Sequence, residues 1–339
     1  MPAPAVLCIV LNFRTPEMTL RAVQAALADL DGPADLDGPA DLDAKADLQG
    51  EVVIIDNASG DGSFEQITAQ VTARGWDAGG RVRVVASPHN GGFGAGNNIG
   101  LAMTLSCGRV PDYFYILNSD AFPDPGCTGA LVRHLEGNAA AGIACSHVRG
   151  EDGVVHTTAF RFPGIASEFV GAARLAVFER LMPRAPVPLP QPLQTCQVDW
   201  SAGASMMLRA SMLAQIGSFD ETFFLYFEET DLCRRAARAG WSCWYVPASR
   251  VVHIGSVSTG MKTHRRMPAY WFDSRRHYFI KNHGRSYAAV ALLAHVAGGV
   301  LHRARAGLAR RPPQDPDCFL RDLIAHAATP YRPSQEQTS

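Results

Sequence analysis

Short apolar runs alternate with helical stretches through the first third of this chain, and each run stops abruptly at small polar or acidic residues. The runs are residues 6–11, 52–56, 82–86 and 113–117, and the helical stretches are residues 17–30, 64–74 and 95–105. Thr15-Pro16 opens the first helix with proline in its first turn, where the missing N–H costs nothing. Asp61-Gly62-Ser63 precedes the second. Near-continuous apolar strands separated by helices belong to a parallel sheet covered on both faces. The pattern therefore predicts an α/β fold with a Rossmann-like, mostly parallel central sheet.

The remainder is less regular. Residues 31–48 read DGPADL, DGPADL, DAKADL, a local acidic repeat too short for a solenoid and expected to form a surface loop insertion. Residues 183–192 hold five prolines in ten positions, which excludes helix and central strand. Residues 228–239 form a helix closed by Gly240, and residues 244–253 a strand ending in His253. Residues 1–285 read as one domain, 286–312 as a C-terminal helical extension and 313–339 as a partly disordered tail.

Composition narrows the class. The 339 residues are 47% hydrophobic and 19% charged, with a formal net charge of -1, so nothing points to nucleic acid. None of the eight cysteines falls in a CxxC pair, which argues against a structural zinc site and for reduced thiols in the cytoplasm. The apolar run at residues 5–11 has no signal-peptide form. No apolar run reaches the roughly 18 residues of a membrane span. Residues 287–301 come nearest, broken by His295 and two glycines and followed by Arg303, Arg305, Arg310 and Arg311. That stretch is either a helix packed on the domain or one lying peripherally in a membrane interface, at the inner face of the cell membrane.

In open parallel sheets, ligands bind beyond the carboxyl ends of the strands. Here those ends read Asn12-Phe13-Arg14-Thr15, Asp56-Asn57-Ala58-Ser59, Asn90-Gly91-Gly92 through Asn98, and Asn118-Ser119-Asp120. The glycine-rich stretch fits a dinucleotide fingerprint poorly, because it follows the third strand and lacks the acidic ribose partner. It reads either as a backbone approach to a nucleotide or as a turn and helix cap. Asp120 alone is weak evidence for a hard cation and needs a second ligand from elsewhere. Residues 217–235 interleave aromatics with five carboxylates: Asp220, Glu221, Glu228, Glu229 and Asp231. The helix dipole accounts for acids in a first turn. It does not account for the aromatics before them, which raise the pKa of nearby carboxyls as a general base requires.

Five segments carry a family resemblance: VIIDNASGDGS at 53–63, NGGFGAGNNIG at 90–100, YILNSDA at 115–121, residues 201–241, and VVHIGSVST at 251–259. In this order they resemble the family 2 inverting glycosyltransferases of the GT-A fold, and most of all the bacterial rhamnosyltransferase-like branch, over about residues 5–285. The resemblance implies a nucleotide diphospho-sugar donor bordered by Arg14, Thr15, Asp56, Asn57, Asn90, Gly92, Asn98, Asn118 and Asp120. It implies a divalent cation, Mg2+ or Mn2+, on Asp120 and His253. It makes Glu229 the base with Glu228 beside it, and places Asp199, Trp200 and Gly203 at the acceptor. The acceptor would be a saccharide or a lipid-linked saccharide in surface polysaccharide synthesis. dTDP-L-rhamnose is the first donor the branch implies, ahead of UDP-hexoses or galactofuranose. Residues 183–192 and 256–266 flank the site as lid candidates. Two departures stand out. The family's DxD reads Asn118-Ser119-Asp120 here, and Glu229 stands where Asp is usual, so Glu228 remains an alternative base. A non-catalytic nucleotide-sugar-binding protein on the same scaffold is the alternative of a different class.

Overall fold

A computed structural model describes residues 3–32, 48–255, 265–310 and 315–331. Most of the acidic repeat, residues 256–264 of the second lid candidate and the last eight residues lie outside this set. The strands are β1 (Ala5–Asn12), β2 (Gln49–Asp56), β3 (Val82–Ala86), β4 (Tyr113–Asn118), β5 (Ala121–Pro123), β6 (Ala141–Arg149), β7 (Ala159–Phe160), β8 (Cys196–Val198), β9 (Trp200–Ser201), β10 (Ser205–Arg209) and β11 (Ser242–His253). The helices are α1 (Pro16–Leu30), α2 (Ser63–Ala73), α3 (Gly92–Leu101), α4 (Cys127–Gly137), α5 (Ile165–Ala173), α6 (Ala176–Leu181), α7 (Ala210–Ile216), α8 (Glu228–Arg238), α9 (Ala269–His283), α10 (Arg285–Leu308) and α11 (Phe319–Ala328).

Among the described residues one sheet runs β3-β2-β1-β4-β10-β6-β11-β5, with β8 also on β11. Strands β3, β2, β1 and β4 are parallel, as the alternation predicts. Strand β10 enters antiparallel between β4 and β6, and β11 returns parallel to β6. The apolar runs are explained by two cores, one on each face of this sheet. Val6, Cys8 and Val10 pack into one, and Ala5, Leu7 and Ile9 into the other. Truncating Leu7 or Ile9 to Ala would cost about 2–5 kcal/mol.

Two elements differ from the sequence expectation. Helix α3 begins at Gly92, not near residue 95, so the glycine-rich stretch is itself helical. Its glycines serve close packing: a Cβ at Gly96 would lie 2.4 Å from Leu11 and one at Gly100 would lie 2.8 Å from Ile9. The tail also carries a helix, α11, whose Phe319, Leu320 and Leu323 pack with Phe272 of α9. Its apolar positions fall three and four residues apart, a helical stripe that proline-rich flanks obscure in the sequence.

Candidate active site

The strand ends converge on a cavity of about 710 Å³. Asn57, Asn90, Gly92, Asn118, Asp120, Gly203, Glu228, Glu229 and His253 all line it. Sheet register explains how residues so distant in sequence meet. Strand β5 pairs antiparallel with the end of β11, setting His253 opposite Ala121. His253 Nε2 thus lies 3.0 Å from Asp120 Oδ1 and 3.3 Å from the Asn118 amide nitrogen. The Gly255 N–H donates to the other Asp120 oxygen at 3.0 Å. Strand β10 pairs with β4, and the Asn118 N–H donates to the Ala204 carbonyl at 3.0 Å. That contact holds residues 203–204 beside the end of β4. The Gly203 N–H then donates to Glu229 Oε1 at 3.1 Å, which fixes the acid pair on the same cavity.

The acid pair sits on unusual backbone. Tyr226 and Phe227 are both left-handed, with φ of 71° and 68°, directly before Glu228. Non-glycine residues occupy that region at a cost, and such strain clusters at functional sites. The segment is braced by the glycine-rich helix. The Phe93 N–H donates to the Phe224 carbonyl at 2.9 Å. A Cβ at Gly92, itself at φ 86°, would lie 1.8 Å from that same oxygen, so no other residue fits. Asn98 grips the same segment from its other end. Its amide accepts from the Phe219 N–H at 3.0 Å and donates to the Phe219 carbonyl and to Glu221.

The five carboxylates of residues 217–235 divide into three roles. Asp231 is fully buried and meets Arg235, Lys281 and Asn282, tying α8 to α9. Asp220 bonds His277 and Lys281 and is held well below the usual carboxylate range by those hydrogen bonds, despite its burial. Glu221 holds Asn98. Only Glu228 and Glu229 face the cavity. Burial pushes Glu228 well above the ordinary range, and the Glu229 charge beside it adds to this. Glu228 is 1% exposed, and its Oε2 has no hydrogen-bond partner among the described residues. Burial also raises Glu229, against the opposing pull of the Gly203 N–H.

The other predicted residues stand apart from this cavity. Asp56 is buried and accepts from Asn12 and from Ser59 through both its N–H and its hydroxyl, so its carboxylate organises the end of β2. Arg14, at φ 56°, donates to the Ser59 carbonyl, and Thr15 contacts Asn12 and Ser119. Asp199 accepts from the Phe162 N–H beside the small β7–β9 sheet, and within that sheet Trp200 stacks on Phe160 at 4.3 Å. Sequence reasoning missed His156, Thr157, Thr158 and Tyr270, which line the cavity from segments without a motif.

Asp120 and His253 present one carboxylate and one imidazole side by side. Among the described residues no group of three or more His, Cys, Asp or Glu gathers as an all-protein metal cage. A donor pair of this kind suits a hard cation that shares its remaining positions with phosphate oxygens.

The Glycosyl transferase family 2 profile matches residues 42–189. The N-acetylglucosaminyl-diphospho-decaprenol L-rhamnosyltransferase of Mycobacterium tuberculosis H37Rv is 30% identical over 220 residues, which cover 62% of this chain and 68% of that protein. The chain is a family 2 glycosyltransferase. Rhamnosyltransferase WbbL of Escherichia coli K12 is 29% identical over 164 residues, 48% of this transferase and 60% of that protein. Among solved structures, GalNAc-T7 with UDP, GalNAc and Mn2+ superposes with a TM-score of 0.54 at 13% identity. The alignment covers 96% of this transferase and 55% of that chain. The mannosyltransferase PcManGT of Pyrobaculum calidifontis, in complex with GDP-Man and Mn2+, superposes at 0.51 with 16% identity, over 96% of this transferase and 86% of that chain. At such identities the likeness speaks for fold alone, and that fold is GT-A.

Proposed function

We propose that this transferase moves L-rhamnose from dTDP-L-rhamnose to a lipid-linked saccharide with inversion at the anomeric carbon, on the cytoplasmic side of a cell membrane. The observation that carries the reading is one cavity shared by the Asp120–His253 pair and the Glu228–Glu229 pair. The similarity to transferases named for rhamnose and for an N-acetylglucosaminyl-diphospho-decaprenol acceptor supports the choice of donor and acceptor.

Glu229 is the base. It is part-exposed at the cavity, is oriented by the Gly203 N–H, and has a pKa raised above its ordinary value by burial. It takes the proton of the acceptor hydroxyl as the oxygen forms its bond to the anomeric carbon. The bond from that carbon to the diphosphate oxygen breaks, and the nucleoside diphosphate leaves with the electron pair. One displacement from the opposite face inverts the centre. Glu228 is more deeply buried, and burial together with the Glu229 charge beside it favours its protonated form, since two adjacent negative charges are disfavoured. Asp120 and His253, with Asn118 as a neutral neighbour, would hold Mg2+ or Mn2+. The cation would supply charge stabilisation for the departing diphosphate.

The test incubates the purified chain with dTDP-rhamnose or UDP-hexoses and a polyprenyl-diphosphate N-acetylglucosamine, and assigns the product anomer by NMR. Transfer from dTDP-rhamnose alone, with inversion, supports the reading. Transfer only from another sugar nucleotide, or retention at the anomeric carbon, overturns it.

A further inference from the structure

Helix α10 has two unlike faces. One is built for tight packing against protein. A Cβ at Gly298 would lie 2.5 Å from the Phe169 carbonyl of α5, and one at Gly299 would lie 3.2 Å from Leu320 of α11. Ala291, His302 and Ala306 are buried on the same side. His295 and Arg275 close it with Glu168 of α5, at 2.7 and 2.5 Å.

The opposite face is exposed and apolar. Ala289, Leu293, Ala297, Val300 and Ala304 recur three or four residues apart and form one solvent-facing stripe. Leu293 is 65% exposed, Val300 54% and the neighbouring Val290 47%. Leu301 and Leu308 extend the stripe toward the helix end. The 24 residues of α10 include no Asp or Glu, whereas Arg285, Arg303 and Arg305 stand near its two ends. Arg305 donates to the Arg174 carbonyl at the end of α5, so the start of α6 lies at this end of the helix. There α6 adds exposed Val177 and Leu181. The stripe on α10 carries no acid of its own and is bounded by arginines, of which Arg303 lies 3.7 Å from Asp315, while α6 also presents exposed Glu179. An apolar stripe of this kind suits a helix lying in the surface of an anionic bilayer.

We propose that this face of α10 docks the enzyme peripherally on an anionic lipid bilayer. The helix is long enough to span one, at about 1.5 Å per residue. Its glycine face is already occupied by α5 and α11, so it lies along the surface and does not cross. The face is one helix away from the chemistry. Helix α9 packs on α10 through Tyr278, Phe279 and Ala291, and contributes Tyr270 to the cavity. Docking by α10 would hold that cavity close to lipid-borne acceptors.

The experiment is co-sedimentation of the full chain with phosphatidylcholine vesicles, with and without phosphatidylglycerol, at increasing NaCl. The expected result is binding to the anionic vesicles that weakens with salt. Leu293→Glu with Val300→Glu should lower the partition coefficient by about 10-fold or more. Leu293→Ser with Val300→Ser should fall between. Circular dichroism and Tm confirm that these surface variants fold. Absence of binding to anionic vesicles, or equal binding by the Glu variant, overturns the proposal. So does a lipid-free dimer that the Glu variant dissociates while vesicle binding is absent, because the face would then belong to a second copy. These vesicles contain neither donor nor acceptor, so failure of the donor reading leaves this test unaffected.

Discussion

The acid at the end of β4 and the acids at the start of α8 share one cavity but live in different surroundings. Asp120 is surrounded by polar partners: the imidazole of His253 and the Gly255 N–H. Each of its carboxylate oxygens meets a polar neighbour. Glu228 and Glu229 stand side by side after two left-handed aromatic residues, and burial raises both. That setting favours holding and exchanging a proton. The proposed division of labour, charge stabilisation at Asp120 and proton transfer at Glu229, rests on environment and not on residue type.

Removing the proposed base should break the comparison most sharply. Glu229→Gln should lower transfer about 10³-fold, with donor binding retained in a thermal-shift assay. Near-normal transfer by this variant would move the role to Glu228. Next in size is the other acid. Asp120→Ala, or EDTA treatment of the parent enzyme, should lower turnover about 10²-fold and weaken donor binding as well. Unchanged donor affinity in both would separate Asp120 from any cation.

The raised pKa of Glu229 predicts the form of the pH profile. A base acts only when deprotonated, so kcat should climb with pH through a value above the ordinary carboxylate range. An acid limb at the ordinary value would contradict the burial argument. Stability should move in the opposite direction. Glu228 binds its proton more tightly folded than unfolded, so the native state gains protons relative to the unfolded state between the two pKa values. Stability therefore falls as pH rises from the unfolded value through the folded one. Glu228→Gln removes this loss, and its Tm should exceed the parent's by roughly 2 °C at neutral pH, with a smaller gap in acid. The last effect, on folding and not on the pH profile, should come from Asn98→Ala. Losing its grip on Phe219 and Glu221 should cost about 1–3 kcal/mol in denaturant melts and loosen the acid-bearing segment.

Much of the scaffold was legible because its signals are local. An apolar run buried on both faces reads the same wherever it sits, so β1, β2, β3 and β4 were visible from their side chains alone. The strand-end polar residues were visible for the same reason. Other features had no local signal. Asp56, Asn98, Asp199 and Trp200 carry the residue types of ligands, yet their polar groups are engaged in holding the fold. Tyr270 reaches the cavity from a helix that no motif marks. Within residues 217–235, five acids look alike in sequence, and only their partners tell Asp231 on Lys281 from Glu229 on Gly203.

The amino-acid sequence by itself determined the layered α/β plan, the polar strand ends and the family. Burial periodicity and motif order are carried by neighbours along the chain. Tertiary structure alone decided which acids face the cavity, that His253 meets Asp120, and that α10 keeps one apolar face uncovered among the described residues. Those outcomes depend on sheet register and helix packing between residues more than a hundred positions apart, and a carboxyl's pKa depends on what surrounds it in space.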